Sequence, residues 1–214
     1  MSQIVSLFQA AVYFGTVILF GAVGEILAEK SGNLNLGVPG IMYMGGIAGL
    51  IAAFLYENGT ANPVPAVAIL VTLAAAFVMS MIGGLIYSVL TITLRANQNV
   101  TGLVLTTLGI GISDFMISLV EASSFSTASK FFTAYLPFAD KLGAFGKLIF
   151  SYGAMVYLSI VVALICAFVL KKTRTGLHLR AVGEDPATAD AAGISVTKYR
   201  YIATILGSGI AGLG

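Results

Sequence analysis

From Val64 to Leu94 the chain carries no charged residue. That stretch limits the possible folds more than any other feature of the sequence. A helix of about 20 residues already crosses the ~30 Å hydrocarbon core of a bilayer at about 1.5 Å per residue. The run is longer than a bilayer needs, so it is expected to tilt or to project beyond the membrane. Further apolar runs occupy Ala10–Ala28, Gly40–Tyr56, Val100–Val120 and Leu148–Leu170, and a sixth helix is expected from Val196 to the end of the chain. Charged residues make up 9% of the chain, against roughly 25% in a soluble domain. The expected fold class is all-α: a polytopic transmembrane helical bundle, a single domain over residues 1–214, with about five full spans and a sixth cut off by the chain end.

The same composition sets other classes aside. A formal charge of +2, with basic residues not interleaved with aromatics, gives no footing for nucleic acid. Cys166 is the sole cysteine; it forms no internal disulfide and reads as a small buried hydrophobe. The N-terminal MSQIVSLFQA lacks the basic region of a signal peptide, so the first apolar run is expected to remain as a span.

The polar connections give the chain a direction. Ser31–Val38 is a Gly- and Asn-rich break after which Pro39 opens the next helix. Glu57–Pro63 reads as a turn, punctuated by Asn58-Gly59 and Asn62-Pro63. Arg95–Asn99 reads as a polar hinge, and Glu121–Lys147 is a mixed segment with Pro137 and three lysines. Lys171–Arg200 is the longest polar stretch and holds six of the eleven Lys and Arg residues. If it faces the cytoplasm, Lys30 and Arg95 join it there, and Lys130, Lys141 and Lys147 lie outside. The positive-inside rule favours that arrangement and puts the N-terminus outside.

Within Lys171–Arg200 a short helix is predicted. Asp185 is a good N-cap, and Pro186 suits the first helical position because its missing N–H has no partner to lose. Ala187–Ala192 are mostly helix-favouring, and Gly193 supplies the left-handed backbone that ends a helix. Glu184 and Asp185 also sit at the positive end of the helix dipole. Alone such a helix is marginal in water, which implies that it docks against something.

The run GLHLRAVGEDPATADAAGIS, Gly176–Ser195, resembles the cytoplasmic coupling loop of ABC-transporter permease subunits of the simple-sugar, nucleoside and branched-chain amino acid class. GEILAEKSGNLNLGVPGIMYMGG, Gly24–Gly46, is similar to that class's first conserved block, and NQNVTGLVLTTLGIG, Asn97–Gly111, is a third match. The upstream block looks closer to the nucleoside-type branch than to the ribose-type branch. The resemblance implies a permease subunit of an ATP-driven importer for nucleosides or simple sugars, doing no covalent chemistry itself. Gly176, Arg180, Gly183, Glu184, Asp185, Pro186, Ala191 and Gly193 would form the coupling loop to the ATPase. The implied partners are an ATP-binding subunit that binds ATP-Mg, a second permease subunit and an extracytoplasmic substrate-binding protein. No cofactor is expected in this chain, and the expected location is the cell membrane. Because permeases of this class continue through further spans, the chain is expected to be a fragment. A branched-chain amino acid or ribose-type permease is the alternative within the class.

Several polar residues have two readings. Irregular backbone at membrane depth survives only inside protein or beside a water-filled cavity, and broken helices often line a substrate site. On that reading Asn33 and Asn35 face a substrate pathway; on the other, Ser31–Val38 is a surface turn. Gln98, Asn99 and Thr101 either face the pathway or cap the fourth span, with capping the expectation for Asn99. Asp114 is either an intramembrane carboxylate, a functional candidate by default, or lies with Glu121 on a wet outer helix. Glu25 is expected to reach the interface. His178 has no ligand set around it, so no metal site is expected. Gly207–Gly212 fits a dinucleotide fingerprint without any βαβ context, and packing is the better reading for it and for Gly83-Gly84. Asn58-Gly59-Thr60 is a formal glycosylation sequon and carries little weight. From other classes, an ion-coupled carrier wants titratable groups within the spans, where Asp114 alone is a fair candidate. A membrane-embedded enzyme wants a catalytic cluster that the sequence does not display.

Overall fold

The computed structural model describes residues 2–118 and 152–214. Every regular element among them is helical. The helices are α1 (Ser2–Glu29), α2 (Val38–Gly59), α3 (Pro65–Ser88), α4 (Gln98–Ser118), α5 (Ala154–Lys172), α6 (Arg174–Glu184), α7 (Pro186–Ala191) and α8 (Val196–Gly212). Helices α1 to α5 are each long and apolar enough to cross a membrane. The chain is a polytopic all-α membrane bundle, as its apolar runs predict.

Element boundaries differ from the sequence reading in several places: α2 runs Val38–Gly59 rather than Gly40–Tyr56, so the turn expected at Glu57–Pro63 is helical as far as Gly59, and α4 starts at Gln98 rather than Val100. Helix α1 starts at Ser2 rather than Ala10, because the Ser and Gln residues of the first turns are tolerable helix formers. The long run Val64–Leu94 is not one uniform helix. After Ser88 it widens into a π-helical turn, Val89–Thr93, in which Leu94 N–H donates to Val89 O at 3.0 Å and Ala96 N–H to Leu90 O at 2.9 Å. Helix α6 was not anticipated. The expected end of the fourth span at Val120, the segment Glu121–Lys147 and the start of the fifth span at Leu148 lie outside the described residues.

Small residues set the spacing between helices. In a bilayer the apolar tails compete with apolar side chains, so helix association relies on close van der Waals fit. Gly24 of α1 and Gly207 of α8 face each other so closely that a methyl group on either would collide with the other's carbonyl oxygen. Gly109 of α4 lies against the Gly40 carbonyl of α2, Gly40 lies against the backbone of Leu105 and Thr106, and Gly84 and Gly212 face Ser208 and Ser80 across the α3–α8 contact. The glycines of Gly207–Gly212 and of Gly83-Gly84 are therefore packing residues, and the nucleotide-fingerprint match is accidental.

These contacts fix the directions of the helices. Gly207 lies against Gly24 and Leu27 while Gly214, just past α8, lies against Phe20 and Val17, so α1 and α8 are antiparallel; Gly37 and Gly40 lie opposite Gly102 and Thr106, so α2 and α4 are parallel. The connections that carry the basic residues among the described residues consequently meet at one end of the bundle. There Gln98 reaches Leu34, Arg200 reaches Ser31 and Tyr201 meets Thr93. Ile41, Tyr87 and Leu105 form a buried apolar cluster in the bundle.

Candidate functional site at the polar end of the bundle

The break between α1 and α2 is a buried knot rather than a surface turn. Ser31, Asn33 and Asn35 are 0%, 1% and 3% exposed, so their polar groups and those of the backbone need protein partners. They find them on four other helices. Asn33 Nδ2 donates to Thr204 Oγ1 of α8 at 3.1 Å. Leu34 N–H donates to Gln98 Oε1 of α4 at 2.9 Å, while the Tyr87 hydroxyl of α3 donates to Leu34 O. Asn35 N–H donates to Glu25 Oε1 of α1 at 2.7 Å, and Asn35 Oδ1 accepts from Gly37 N–H at 2.9 Å. Thr106 Oγ1 of α4 donates to Leu36 O at 3.0 Å. The chain can make this tight path because Gly32 adopts a left-handed φ of +88°.

Glu25, half-buried at the polar end, turns inward to accept from Asn35 N–H, and its Oε2 is buried without a hydrogen-bond partner among the described residues. One expectation is corrected here. The cap of α4 is Asn97 and not Asn99. Asn97 Oδ1 accepts from Asn99 N–H at 3.0 Å and from Val100 N–H at 3.2 Å, which leaves Asn99 exposed in the first turn. Gln98 points into the knot, its Nε2 donating over 3.4 Å to both Gly32 O and Asn33 Oδ1. Thr101 is buried one turn further along. The structure thus brings Asn33, Asn35, Gln98 and Thr101 to one region and sets Asn99 at its exposed margin. Glu25, Tyr87, Thr106 and Thr204 belong to the same network; the one sequence signal for it was an acidic residue inside an apolar run.

The connection from α5 to α8 packs on this knot. Thr173 Oγ1 accepts from Gly176 N–H at 3.1 Å and starts α6. Gly176 is pressed against the backbone of Val169 and Leu170, so a side chain there has no room. Leu179 and Val182 are buried, and Gly183 abuts the backbone of Lys30 and Gly32. His178 Nδ1 pairs with the Tyr199 hydroxyl at 2.9 Å, with the two rings edge-on, and so ties α6 to α8. Arg180 faces a cavity between α1 and α5 rather than the outer surface of the loop.

Helix α7 follows with both ends closed. Asp185 accepts from Ala187 N–H at 3.0 Å and from Thr188 N–H at 3.1 Å. The Thr188 hydroxyl, followed by those two N–H groups, holds the Asp185 carboxyl below the usual carboxylate range. At the far end Gly193 adopts a φ of +80°. Ile194 N–H donates to Ala189 O and Gly193 N–H to Asp190 O, the paired bonds of a Schellman motif. Ala189 is buried, whereas Ala187, Thr188, Asp190 and Ala191 are exposed. Glu184, Asp185 and Gly193 are exposed as well.

At the opposite end of α4, Asp114 is exposed and opens onto a cavity of about 570 Å³ bounded by Val17, Met42, Ile47 and Ile117. It sits within the membrane-spanning helix. Glu121 lies outside the described residues.

The profile of the family described as branched-chain amino acid transport system / permease component matches residues 6–214. The chain belongs to that permease family. It is 33% identical over 213 residues to a Haloferax volcanii protein provisionally named a glucose ABC transporter permease protein, TsgC13, covering 99% of this chain and 62% of the relative. It is 30% identical over 217 residues to the guanosine ABC transporter permease protein NupQ of Bacillus subtilis, covering 99% of this chain and 66% of the relative. It is 29% identical over 206 residues to the nucleoside ABC transporter permease protein NupC of Lactococcus lactis, covering 94% and 63%. The chain therefore spans a little under two thirds of the length of these permeases. No solved structure matches it.

Proposed function

We propose that the chain forms the core of a membrane-spanning permease subunit of an ATP-driven ABC importer for nucleosides or simple sugars. The names of the glucose, guanosine and nucleoside permeases it is similar to support that substrate class, and the family's own description keeps branched-chain amino acids as the second reading. The observation that carries the proposal is the polar end of the bundle, where a short helix closed at both ends presents one face outward. Helix α7 is the element that an ATP-binding subunit grips, together with Glu184, Asp185 and Gly193 beside it. Gly176, Arg180 and Gly183 act from beneath by seating α6 on the spans. In this reading the polar end is cytoplasmic, the N-terminus is outside, and ATP-Mg is bound by the partner rather than by this chain. A second permease subunit and an external substrate-binding protein complete the assembly.

A partner can shift a two-state element only by gripping it differently in the two states. The knot is where such a shift would be felt, because it joins α6 and α8 to α1, α3 and α4. Asn33, Asn35, Gln98, Asn99 and Thr101 would border the substrate pathway at that end. Gln98 is the member best placed to exchange partners, its two Nε2 bonds being long.

The test is charge reversal on the exposed face of α7. In proteoliposomes containing the full transporter, Asp190→Lys is expected to abolish ATP-driven uptake while the binding protein still docks and the ATPase subunit still hydrolyses ATP. Unchanged uptake would sink the coupling assignment.

A further inference from the structure

Helices α1 and α5 touch at one end and part at the other. Near the start of α5 they are joined by the edge-on pair Tyr13–Tyr152, with ring centroids 5.8 Å apart. The buried residues of α5, Val156 and Ser159, lie in its first two turns. Towards the polar end the helices diverge around a cavity of about 380 Å³. Its walls are apolar, formed by Val23 and Ile26 on one side and Ala163, Ala167 and Leu170 on the other. Three cations also line it: Lys30 just past the end of α1, Lys171 in the last turn of α5, and Arg180 reaching over from α6.

Among the described residues the cations have no counter-charge; Lys30 and Lys171 are exposed and Arg180 is half-buried. Arg180 Nε is buried with no hydrogen-bond partner, and no ion pair forms with any of the three among the described residues. A buried guanidinium donor left unpaired is costly, more so than a neutral group would be. The site therefore suits an anion, and the apolar walls below it suit a hydrocarbon chain. At the water boundary of a membrane one abundant class of molecule carries both. Basic pockets between membrane helices are suited to anionic headgroups, and a cavity of this volume falls in the range of ligand sites.

We propose that the wedge between α1 and α5 holds one anionic glycerophospholipid of the adjacent leaflet, its phosphate on Arg180, Lys30 and Lys171 and an acyl chain against the apolar walls. The lipid would lie beneath α6 and act as a packed part of the loop's seat. This inference requires the chain to be embedded in a membrane; it does not depend on ATP coupling or on the transported substrate, so the two readings fail separately.

The chain is reconstituted in vesicles of equal phosphatidylglycerol and phosphatidylcholine, extracted, and weighed by native mass spectrometry. Wild type is expected to retain one phosphatidylglycerol in preference to phosphatidylcholine. Arg180→Gln and Lys30→Gln should each weaken that preference about fivefold, the effect of one surface cation on an anionic lipid. Lys198→Gln, which removes an exposed cation of the first turn of α8 but not of the wedge, should leave it intact. Ala167→Trp, which fills the wall and keeps every charge, should also expel the lipid, and it tests the site even if a charge variant fails to fold. Equal retention of both lipids by wild type overturns the proposal. So does an equal loss in Lys198→Gln, which would mean diffuse surface charge. Displacement by millimolar inorganic phosphate, with Ala167→Trp unaffected, overturns it in favour of a free-anion site.

Discussion

Glu25 carries a carboxylate one turn from the end of a membrane-spanning helix, and its position decides the shape of the knot. Without an acceptor there, Asn35 N–H would be buried with nothing to bind. Such an orphaned donor costs about 1–3 kcal/mol. Glu25→Ala is therefore expected to lower the stability of the bundle by about that amount, read as a drop in the thermal midpoint in detergent. Glu25→Gln keeps an oxygen for Asn35 and should recover most of the loss. If the alanine variant melts like wild type, Asn35 has another acceptor. Glu25 was hard to place from the sequence because its partner N–H belongs to irregular backbone whose path only the fold defines. Asn33 and Gln98 pose the same difficulty: their partners lie 171 and 64 residues away in the chain, and no local pattern encodes that separation.

Helix α7 shows the opposite case. Its cap, first turn and left-handed terminator are adjacent in the sequence, so Asp185, Pro186 and Gly193 spell it out before any fold is known. The carboxylate of Asp185 supports α7 only when ionised, and its native titration is lowered by Thr188 and Ala187. A lowered value means that the support is complete above the unfolded value of about 3.9. It is lost as the pH falls through the lower native value. Amide exchange at Ala187 and Thr188, corrected for intrinsic rates, should show steady protection from neutral pH to about pH 4 and a loss below it. Asp185→Asn should show no acid step; a matching step in that variant would point to a different titrating group. Helix α6 escaped the sequence reading although Thr173 and Gly176 mark its start. Its buried positions, Gly176, Leu179 and Val182, are few and interleaved with polar residues, and they become a packing face only once Val169, Leu170 and Lys30 are alongside. The start of α4 was misplaced for a related reason. Asn97 and Asn99 are equally good caps by type, and the register is set by Gln98 having to enter the knot.

For the whole molecule, the apolar runs disclosed the bundle and the five long apolar helices among the described residues, and Lys30, Arg95 and the stretch 171–200, grouped by charge in the sequence reading, lie at one end. Which helices touch was not legible, because glycine and serine are frequent throughout and only a few of them meet across an interface. A tight backbone meeting can be tested against a loose one on the same helix. Gly24→Ala drives a methyl group into the carbonyl oxygen of Gly207, a backbone atom that cannot rotate away, and should cost about 1–3 kcal/mol of overpacking. Gly15→Ala meets nothing within 4 Å and should stabilise α1 by about 0.5–1 kcal/mol through helix propensity. Thermal melts of the two variants should move in opposite directions. Where Gly24 lies on Gly207, and Gly84 and Gly212 lie on the serines of the facing helix, there are almost no rotamers to exchange and no slack to absorb a displacement. A push delivered to α8 is then transmitted whole to α1 and α3, as between meshed gears without backlash.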